Sequence, residues 1–184
     1  MIATEKSLTG EALLELQRAT GKRYELVKGI PVETMPAGGK HGYIASKIER
    51  KLGTFVEERH LGFVFTAETG VYLERNPDTV RGADVTFVSR TKIHAYDDID
   101  SGFLTAIPDL VVEVVSQPNQ LADALNKVQE WRRAGVSEVW LVDAERKTVS
   151  VYSNDGVQTL NETDTLVGKN LLDGFSLPIK TIFS

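Results

Sequence analysis

The sequence has 184 residues, 41% of them apolar, and a formal net charge of −5. A chain of this length can bury its own hydrophobic core, so we expect one domain spanning residues 1–184. The net negative charge argues against a protein that coats nucleic acid through bulk electrostatics, because such binding requires clustered Lys and Arg. Cysteine is absent and the three histidines, His41, His60 and His94, are scattered, which excludes thiolate metal sites and a local histidine motif.

The sequence contains neither a recognisable leader nor a recognisable membrane span. Residues 1–10 include no apolar leader segment, and no run approaches the roughly 18 apolar residues of a membrane-spanning helix. We therefore expect a cytoplasmic protein that has no membrane partner.

The first half of the chain predicts two helices and several strands. Residues 11–20 place leucines at helical spacing, and residues 41–59 repeat apolar side chains at steps of three or four. A hairpin is predicted for residues 24–27 and 30–34, with Gly29 in its turn. The segments that follow are strand-like patterns at 62–67, 70–74 and 84–88, a polar turn at 75–81, and a loop or short irregular helix at 91–105.

The second half predicts a strand, a helix and further strands. Residues 108–116 are apolar and rich in β-branched side chains, which is typical of a strand buried on both faces. A helix is predicted over residues 121–134, and strands are predicted at 138–142 and 148–152. The order strand, helix, strand indicates a crossover unit, in which the two strands are parallel or have one strand between them. With the hairpins around it, this unit predicts an α/β fold in which helices flank a mixed β-sheet.

One carboxylate, that of Glu113, lies in the middle of the buried strand 108–116. An ionised carboxylate is costly to bury without a partner, so the group must be protonated, pair with a cation or lie at a hydrated site. Asp84 opens another predicted strand, and pairing of two strands about 4.8 Å apart would bring the two carboxylates together. Two carboxylates favour a divalent cation such as Mg²⁺, with the backbone carbonyl of Val114 as a candidate third ligand.

Lys127 has two interpretations from the pattern alone. If Leu121, Leu125 and Val128 form the inner stripe of the helix, Lys127 falls on the flank of that stripe and can reach the carboxylates. Alternatively, Asp123 and Lys127 form an exposed pair one helical turn apart, worth a few tenths of a kcal/mol.

The positions of Asp84, Glu25 and His41 can also be explained without a functional site. Asp84 can be a strand-start residue that hydrogen-bonds its own turn. Glu25 fits the polar position of an alternating strand. His41 fits the start of a helix, where it could cap the helix or contact an anion.

Several short motifs are distributed along nearly the whole chain. They are residues 23–29 (RYELVKG), Pro36 with His41 and Ile44, 83–88 (ADVTFV), 108–116 (PDLVVEVVS), Asn119, Asp123, Lys127, 134–136 (AGV) and 138–143 (EVWLVD). In order and spacing these motifs resemble those of the Uma family of restriction-type endonucleases. That family is similar to the PD-(D/E)XK nuclease superfamily. The resemblance therefore implies a restriction endonuclease-like core, with added N-terminal and C-terminal β-hairpins.

The resemblance also implies a site for Mg²⁺ or Mn²⁺. Asp84 and Glu113 correspond to the two metal-binding acids. The family's pattern is altered at Val115, where a Lys two residues after the second acid is expected. The resemblance implies that Lys127, on the following helix, supplies that ammonium group instead.

The remaining matches imply auxiliary roles. Glu25 would be an auxiliary acid near the metal, and His41 and Asp123 would be polar contributors to the same site. Ala83 replaces the Pro that usually precedes the first acid, a mild departure because that Pro contributes backbone shape and no ligand.

These observations lead to one hypothesis and two alternatives. The hypothesis is a divalent-metal-dependent endonuclease that hydrolyses phosphodiester bonds of DNA, and a homodimer because many superfamily members are dimers. One alternative is a catalytically silent nucleic-acid or protein interaction module that retains the nuclease fold, which the acidic net charge favours. The other is an ordinary α/β domain in which Glu113 and Lys127 form a buried ion pair.

Overall fold

The computed structural model describes residues 7–67 and 69–184. Residues 1–6, which begin the segment predicted to lack a leader, lie outside the described residues. The described part of the chain forms three α-helices, α1 (Gly10–Thr20), α2 (Gly39–Glu58) and α3 (Leu121–Arg133), close to the predicted ranges. None of these helices combines the length and the apolarity that crossing a bilayer requires.

The strands of the described residues form three sheets. In chain order they are β1 (Tyr24–Val27), β2 (Ile30–Glu33), β3 (Gly62–Phe65), β4 (Gly70–Glu74), β5 (Thr79–Gly82), β6 (Val85–Ser89), β7 (Leu110–Val115), β8 (Glu138–Asp143), β9 (Thr148–Ser153), β10 (Gly156–Leu160), β11 (Thr165–Val167) and β12 (Ser176–Pro178). A six-stranded sheet has the order β10-β9-β8-β7-β6-β3, a four-stranded sheet the order β2-β1-β5-β4, and β11 and β12 pair with each other. This mixed α/β architecture confirms the predicted fold class.

The strand that carries Glu113 lies at the centre of the six-stranded sheet. β7 pairs in parallel with β8 and antiparallel with β6, which confirms the crossover unit that the sequence predicts. Val112 and Val114 pack with α2 on one face of the sheet, whereas Val111 and Val115 pack with α3 on the other. Because side chains alternate between the two faces of a strand, Glu113 faces α3.

The predicted polar turn at residues 75–81 is wrong at its C-terminal end, where Thr79–Gly82 form strand β5. This strand lies between β1 and β4 in the four-stranded sheet. Its polar side chains are satisfied there: the Thr79 hydroxyl accepts a hydrogen bond from the Lys28 N–H at 3.2 Å, and Arg81 pairs with carboxylates. Those partners come from distant segments, so the local pattern did not reveal a strand.

The buried stripe of α3 also differs from the prediction. Ala124, Val128 and Trp131 are its buried side chains, while Leu121 and Leu125 are only partly buried. The helix is thus rotated so that Lys127, one turn from both Ala124 and Trp131, turns further inward than the predicted flank. This rotation directs the Lys127 ammonium toward the sheet.

Candidate active site

The polar residues singled out in the sequence line one cleft of about 870 Å³. The cleft lies beside the N-terminal end of β6 and the C-terminal half of β7, and α2, α3 and the four-stranded sheet contribute to its walls. Its lining includes every predicted site residue, namely Glu25, His41, Asp84, Glu113, Val114, Asp123 and Lys127. The fold therefore brings together residues that are up to about a hundred positions apart in the chain.

Asp84 lies immediately before β6 and opposite Glu113. Val85 pairs with Val112 in the antiparallel ladder, so one further step places Asp84 across from Glu113. Asp84 Oδ2 accepts a hydrogen bond of 2.7 Å from the Val114 N–H, and Asp84 Oδ1 lies 2.6 Å from His41 Nε2. Both oxygens of Asp84 are therefore oriented by neighbours.

Glu113 is almost completely buried, with 6% of its surface exposed. Its Oε1 accepts a hydrogen bond of 2.7 Å from the Trp131 indole N–H, and its Oε2 lies 3.7 Å from Lys127 Nζ. Burial raises the pKa of Glu113 to about 7, and the negative charges of Asp84 and Glu25 add to this effect against the opposing influence of Lys127 and Trp131. Loss of hydration on burial is therefore the main reason that the pKa of Glu113 is raised.

Lys127 reaches from α3 to both sheets. Its ammonium group donates to the Gly82 carbonyl at 2.9 Å and lies 2.8 Å from Glu25 Oε1. Burial alone would lower the pKa of Lys127, but the carboxylates of Glu113 and Glu25 raise it above its ordinary value, so the group is charged at neutral pH. These partners replace the exposed pair with Asp123 that was the alternative interpretation.

Both carboxylate oxygens of Glu25 contact donor groups of neighbouring residues. Glu25 Oε1 also accepts a hydrogen bond of 3.1 Å from the Gly82 N–H, and Oε2 accepts one of 2.7 Å from Arg81 Nη1. Burial by itself would raise the pKa of Glu25, yet the nearby charges of Lys127 and Arg81 hold the pKa below its usual value. Glu25 is an ionised carboxylate whose two oxygens both face donors from the protein.

The sequence pattern did not indicate that Arg81, Glu130 and Trp131 belong to this network. Arg81 binds Glu130 through two hydrogen bonds, Nε to Oε2 at 2.6 Å and Nη2 to Oε1 at 3.0 Å, and so joins β5 to α3. Trp131 supplies the indole N–H that holds Glu113. The available signal was helical spacing, since Glu130 and Trp131 follow Lys127 by three and four positions and lie near the same face of α3.

The other two predicted auxiliary residues, His41 and Asp123, differ in their surroundings. His41, in the first turn of α2, contacts Asp84 within the cleft. Asp123, in the first turn of α3, is an exposed residue of the cleft wall. His41 is therefore part of the carboxylate network, whereas Asp123 lies at its edge.

The donors around the cleft suit a hard cation better than a soft one. In residues 7–67 and 69–184, no three His, Cys, Asp or Glu side chains are grouped so that they could hold a metal ion together. The carboxylates of Asp84 and Glu113 are a two-acid set, with the backbone of Val114 beside them. Mg²⁺ is commonly bound by one or two carboxylates and retains several waters, so this set fits the expected ion.

Comparisons with known proteins show a related fold and a family. The overall structure is similar to a crystal structure from Anabaena variabilis described as "a putative nuclease belonging to DUF820", with a TM-score of 0.80, 21% sequence identity, and coverage of 96% of this chain and 97% of that chain. At this identity the likeness shows the fold. No curated protein matches the sequence. Residues 11–180 match the model of the Uma2 family, described as "Putative restriction endonuclease", and the chain therefore belongs to the Uma2 family.

Proposed function

We propose that the protein is a Mg²⁺- or Mn²⁺-dependent endonuclease that hydrolyses phosphodiester bonds of DNA. The observation that carries the proposal is the meeting of Asp84, Glu113 and Lys127 in one cleft. Carboxylates can hold a metal that activates water against a phosphodiester, and an ammonium group can stabilise the charge that develops in that reaction. The family description and the nuclease-like fold agree with this reaction class.

The charges around the cleft favour a divalent cation. The described contacts place four carboxylates, those of Glu25, Asp84, Glu113 and Glu130, next to the cations Arg81 and Lys127, and Lys22 and Arg23 also line the cleft. A divalent cation beside Asp84 and Glu113 would reduce the repulsion between these two carboxylates. It would also favour the ionised form of Glu113, whose pKa is raised to about 7 by burial and by neighbouring carboxylates.

Each residue has a distinct task in the proposed reaction. Asp84 and Glu113 would hold the metal, with the Val114 carbonyl as a further ligand, and the bound ion would supply an activated water and polarise the phosphate. Lys127 is fixed by Gly82 and Glu25 and lies 3.7 Å from Glu113, so its ammonium is placed to orient the water or to stabilise charge that develops on the phosphate.

In this scheme Glu25 is not a metal ligand. Its oxygens face Lys127, Arg81 and the Gly82 N–H. Glu25 would therefore set the position and the charge of Lys127. The auxiliary acid acts through the lysine.

Plasmid nicking tests the proposal. Supercoiled DNA is incubated with the protein and Mg²⁺, Mn²⁺ or a chelator, and nicked and linear products are quantified. The wild type is expected to cleave only with metal, and Asp84→Asn, Glu113→Gln and Lys127→Met to lose about a hundredfold or more of that activity. Lys147→Met is the matched control, because Lys147 is exposed and its partner is the surface residue Glu162.

Two outcomes would contradict the proposal. Cleavage that survives the chelator, or that is unchanged in Asp84→Asn and Glu113→Gln, would remove the metal site from the mechanism. Salt-sensitive DNA binding without any cleavage would identify the non-catalytic interaction module instead. The same preparations, analysed by sedimentation, test the proposed homodimer.

A further inference from the structure

Two side chains of helix α3 lie next to the two carboxylate oxygens of Glu113. The indole N–H of Trp131 donates to Oε1 at 2.7 Å, and the ammonium group of Lys127 lies 3.7 Å from Oε2. Lys127 and Trp131 are four residues apart and so occupy successive turns near one face of the helix. The two contacts differ in kind: one is a short hydrogen bond from a neutral group, and the other is a longer approach of a charged one.

We propose that Trp131 is a positioning residue that commits Oε1 of Glu113 to the indole and leaves Oε2 as the single oxygen offered to a cation in the cleft. The proposal rests on the metal-dependent function proposed above. It assigns to Glu113 one-oxygen binding, as opposed to binding through both oxygens.

The packing around Trp131 makes it suited to this task. Its side chain has no exposed surface, and it belongs to the hydrophobic cluster between α3 and the six-stranded sheet, together with Val111 and Val139. A ring packed in this way keeps its N–H direction fixed. Indole is a donor only and carries no charge, so it orients the carboxylate without competing with a metal as a second cation would.

The second tryptophan supplies a matched control. The chain has two tryptophans, and Trp140 is also without exposed surface and also donates its indole N–H to a glutamate, Glu138. Trp140 packs in the cluster on the opposite face of the sheet, where its ring stacks on Phe175. The two residues thus make the same type of bond, but only Trp131 makes it to a residue that lines the cleft.

Nuclear magnetic resonance tests the proposal without any need for cleavage. In a ¹H–¹⁵N spectrum the two indole N–H groups give two signals, assigned with Trp140→Phe. Mg²⁺ alone is expected to shift the Trp131 signal, because its N–H is bonded to Glu113, and to leave that of Trp140 in place. Equal responses of the two signals, or no response of Trp131 at metal concentrations that saturate the protein, would overturn the proposal.

Activity and affinity provide the second arm. Trp131→Phe keeps an aromatic ring but removes the donor, and it is expected to weaken Mn²⁺ binding or metal-dependent cleavage by about tenfold or more, whereas Trp140→Phe changes either by less than about twofold. If Trp131→Phe fails to fold, benzothienylalanine at position 131 preserves the shape of the indole while replacing its N–H with sulfur. Full activity and full Mn²⁺ affinity in that protein would overturn the proposal.

The two arms separate this inference from the proposed function. If the wild type does not cut DNA but binds Mn²⁺, and loss of the N–H at position 131 weakens that binding while Trp140→Phe does not, the nuclease assignment fails and the role of Trp131 stands. If the wild type cuts DNA and the two Phe variants lose activity equally, the nuclease assignment stands and the role of Trp131 is overturned.

Discussion

The ammonium group of Lys127 lies 2.8 Å from a carboxylate oxygen of Glu25, nearer than the 3.7 Å that separates it from Glu113. Glu25 belongs to β1 in the four-stranded sheet, and Glu113 to β7 in the six-stranded sheet. Lys127 therefore connects the four-stranded sheet to the cleft that contains Asp84 and Glu113. The four-stranded sheet therefore contributes to the cleft by positioning the ammonium group of Lys127.

Glu25→Gln tests this connection. The amide keeps the shape of Glu25 but loses the charge that faces Lys127 and Arg81, so the lysine loses its nearest anionic partner. We expect cleavage to fall by about tenfold to a hundredfold, the range for residues that orient catalytic groups, while Mn²⁺ affinity measured by calorimetry changes little. Glu162→Gln, at an exposed site, serves as the control. A loss of Mn²⁺ affinity as large as that of Asp84→Asn would show instead that Glu25 binds the metal.

The contact between Arg81 and Glu130 predicts a measurable contribution to stability. The two hydrogen bonds join side chains that are 12% and 28% exposed, so the pair is only partly screened by solvent. Removing either partner should lower the free energy of unfolding by about 1–3 kcal/mol, less than the roughly 3–5 kcal/mol of a fully buried pair. Urea unfolding of Arg81→Met, Glu130→Gln and the double variant gives the coupling between them.

The matched cycle uses Lys147 and Glu162, which pair at 3.2 Å on the surface. Their coupling is expected to be below about 1 kcal/mol, as for other exposed pairs. If the coupling energy between Arg81 and Glu130 is no larger than that between Lys147 and Glu162, the contact between β5 and α3 stabilises the protein no more than an ordinary surface ion pair.

The sequence was sufficient to predict that Glu113 and Asp84 lie side by side, for a physical reason. A carboxylate within an apolar, β-branched run must be explained, and Glu113 stands in such a run. Strand pairing then limits which other acid can lie beside it, and the ladder of β6 and β7 brings Asp84 there. Local pattern and the resemblance to a known family therefore converged on the same two residues.

The partners of these acids depend on tertiary contacts that a local pattern does not contain. Arg81 looked like a residue of a polar turn, because its carboxylate partners lie on β1 and α3. Nothing in the sequence indicates that the indole N–H of Trp131 points at Glu113. The rotation of α3 followed the packing of Ala124 and Trp131, which outweighed the leucines at positions 121 and 125.

The pKa of Glu113 predicts a dependence of stability on pH. Burial, together with Asp84 and Glu25, raises it to about 7 from the ordinary value of 4.5, so the folded state holds this proton more tightly than the unfolded chain does. The stabilising contribution of Glu113 is therefore full below the unfolded pKa, falls as the pH rises toward about 7, and is absent above it.

Urea unfolding at about pH 5 and about pH 8 measures this contribution. Between these conditions the wild type should lose more free energy of unfolding than Glu113→Gln, whose side chain does not titrate. The exposed control Glu162→Gln should follow the wild type. Equal losses in the wild type and in Glu113→Gln would show that the pKa of Glu113 is not raised in the folded protein.

The contact between His41 and Asp84 predicts an effect on metal affinity. His41 Nε2 lies 2.6 Å from Asp84 Oδ1, and the Val114 N–H holds Oδ2, so the carboxylate is oriented from both sides. His41→Ala removes one of these restraints and should weaken Mn²⁺ binding by about tenfold to a hundredfold, as measured by titration calorimetry. His94→Ala, an exposed histidine, should leave the affinity unchanged. A gain of affinity in His41→Ala would reverse the interpretation, because it would mean that His41 competes with the cation for Asp84.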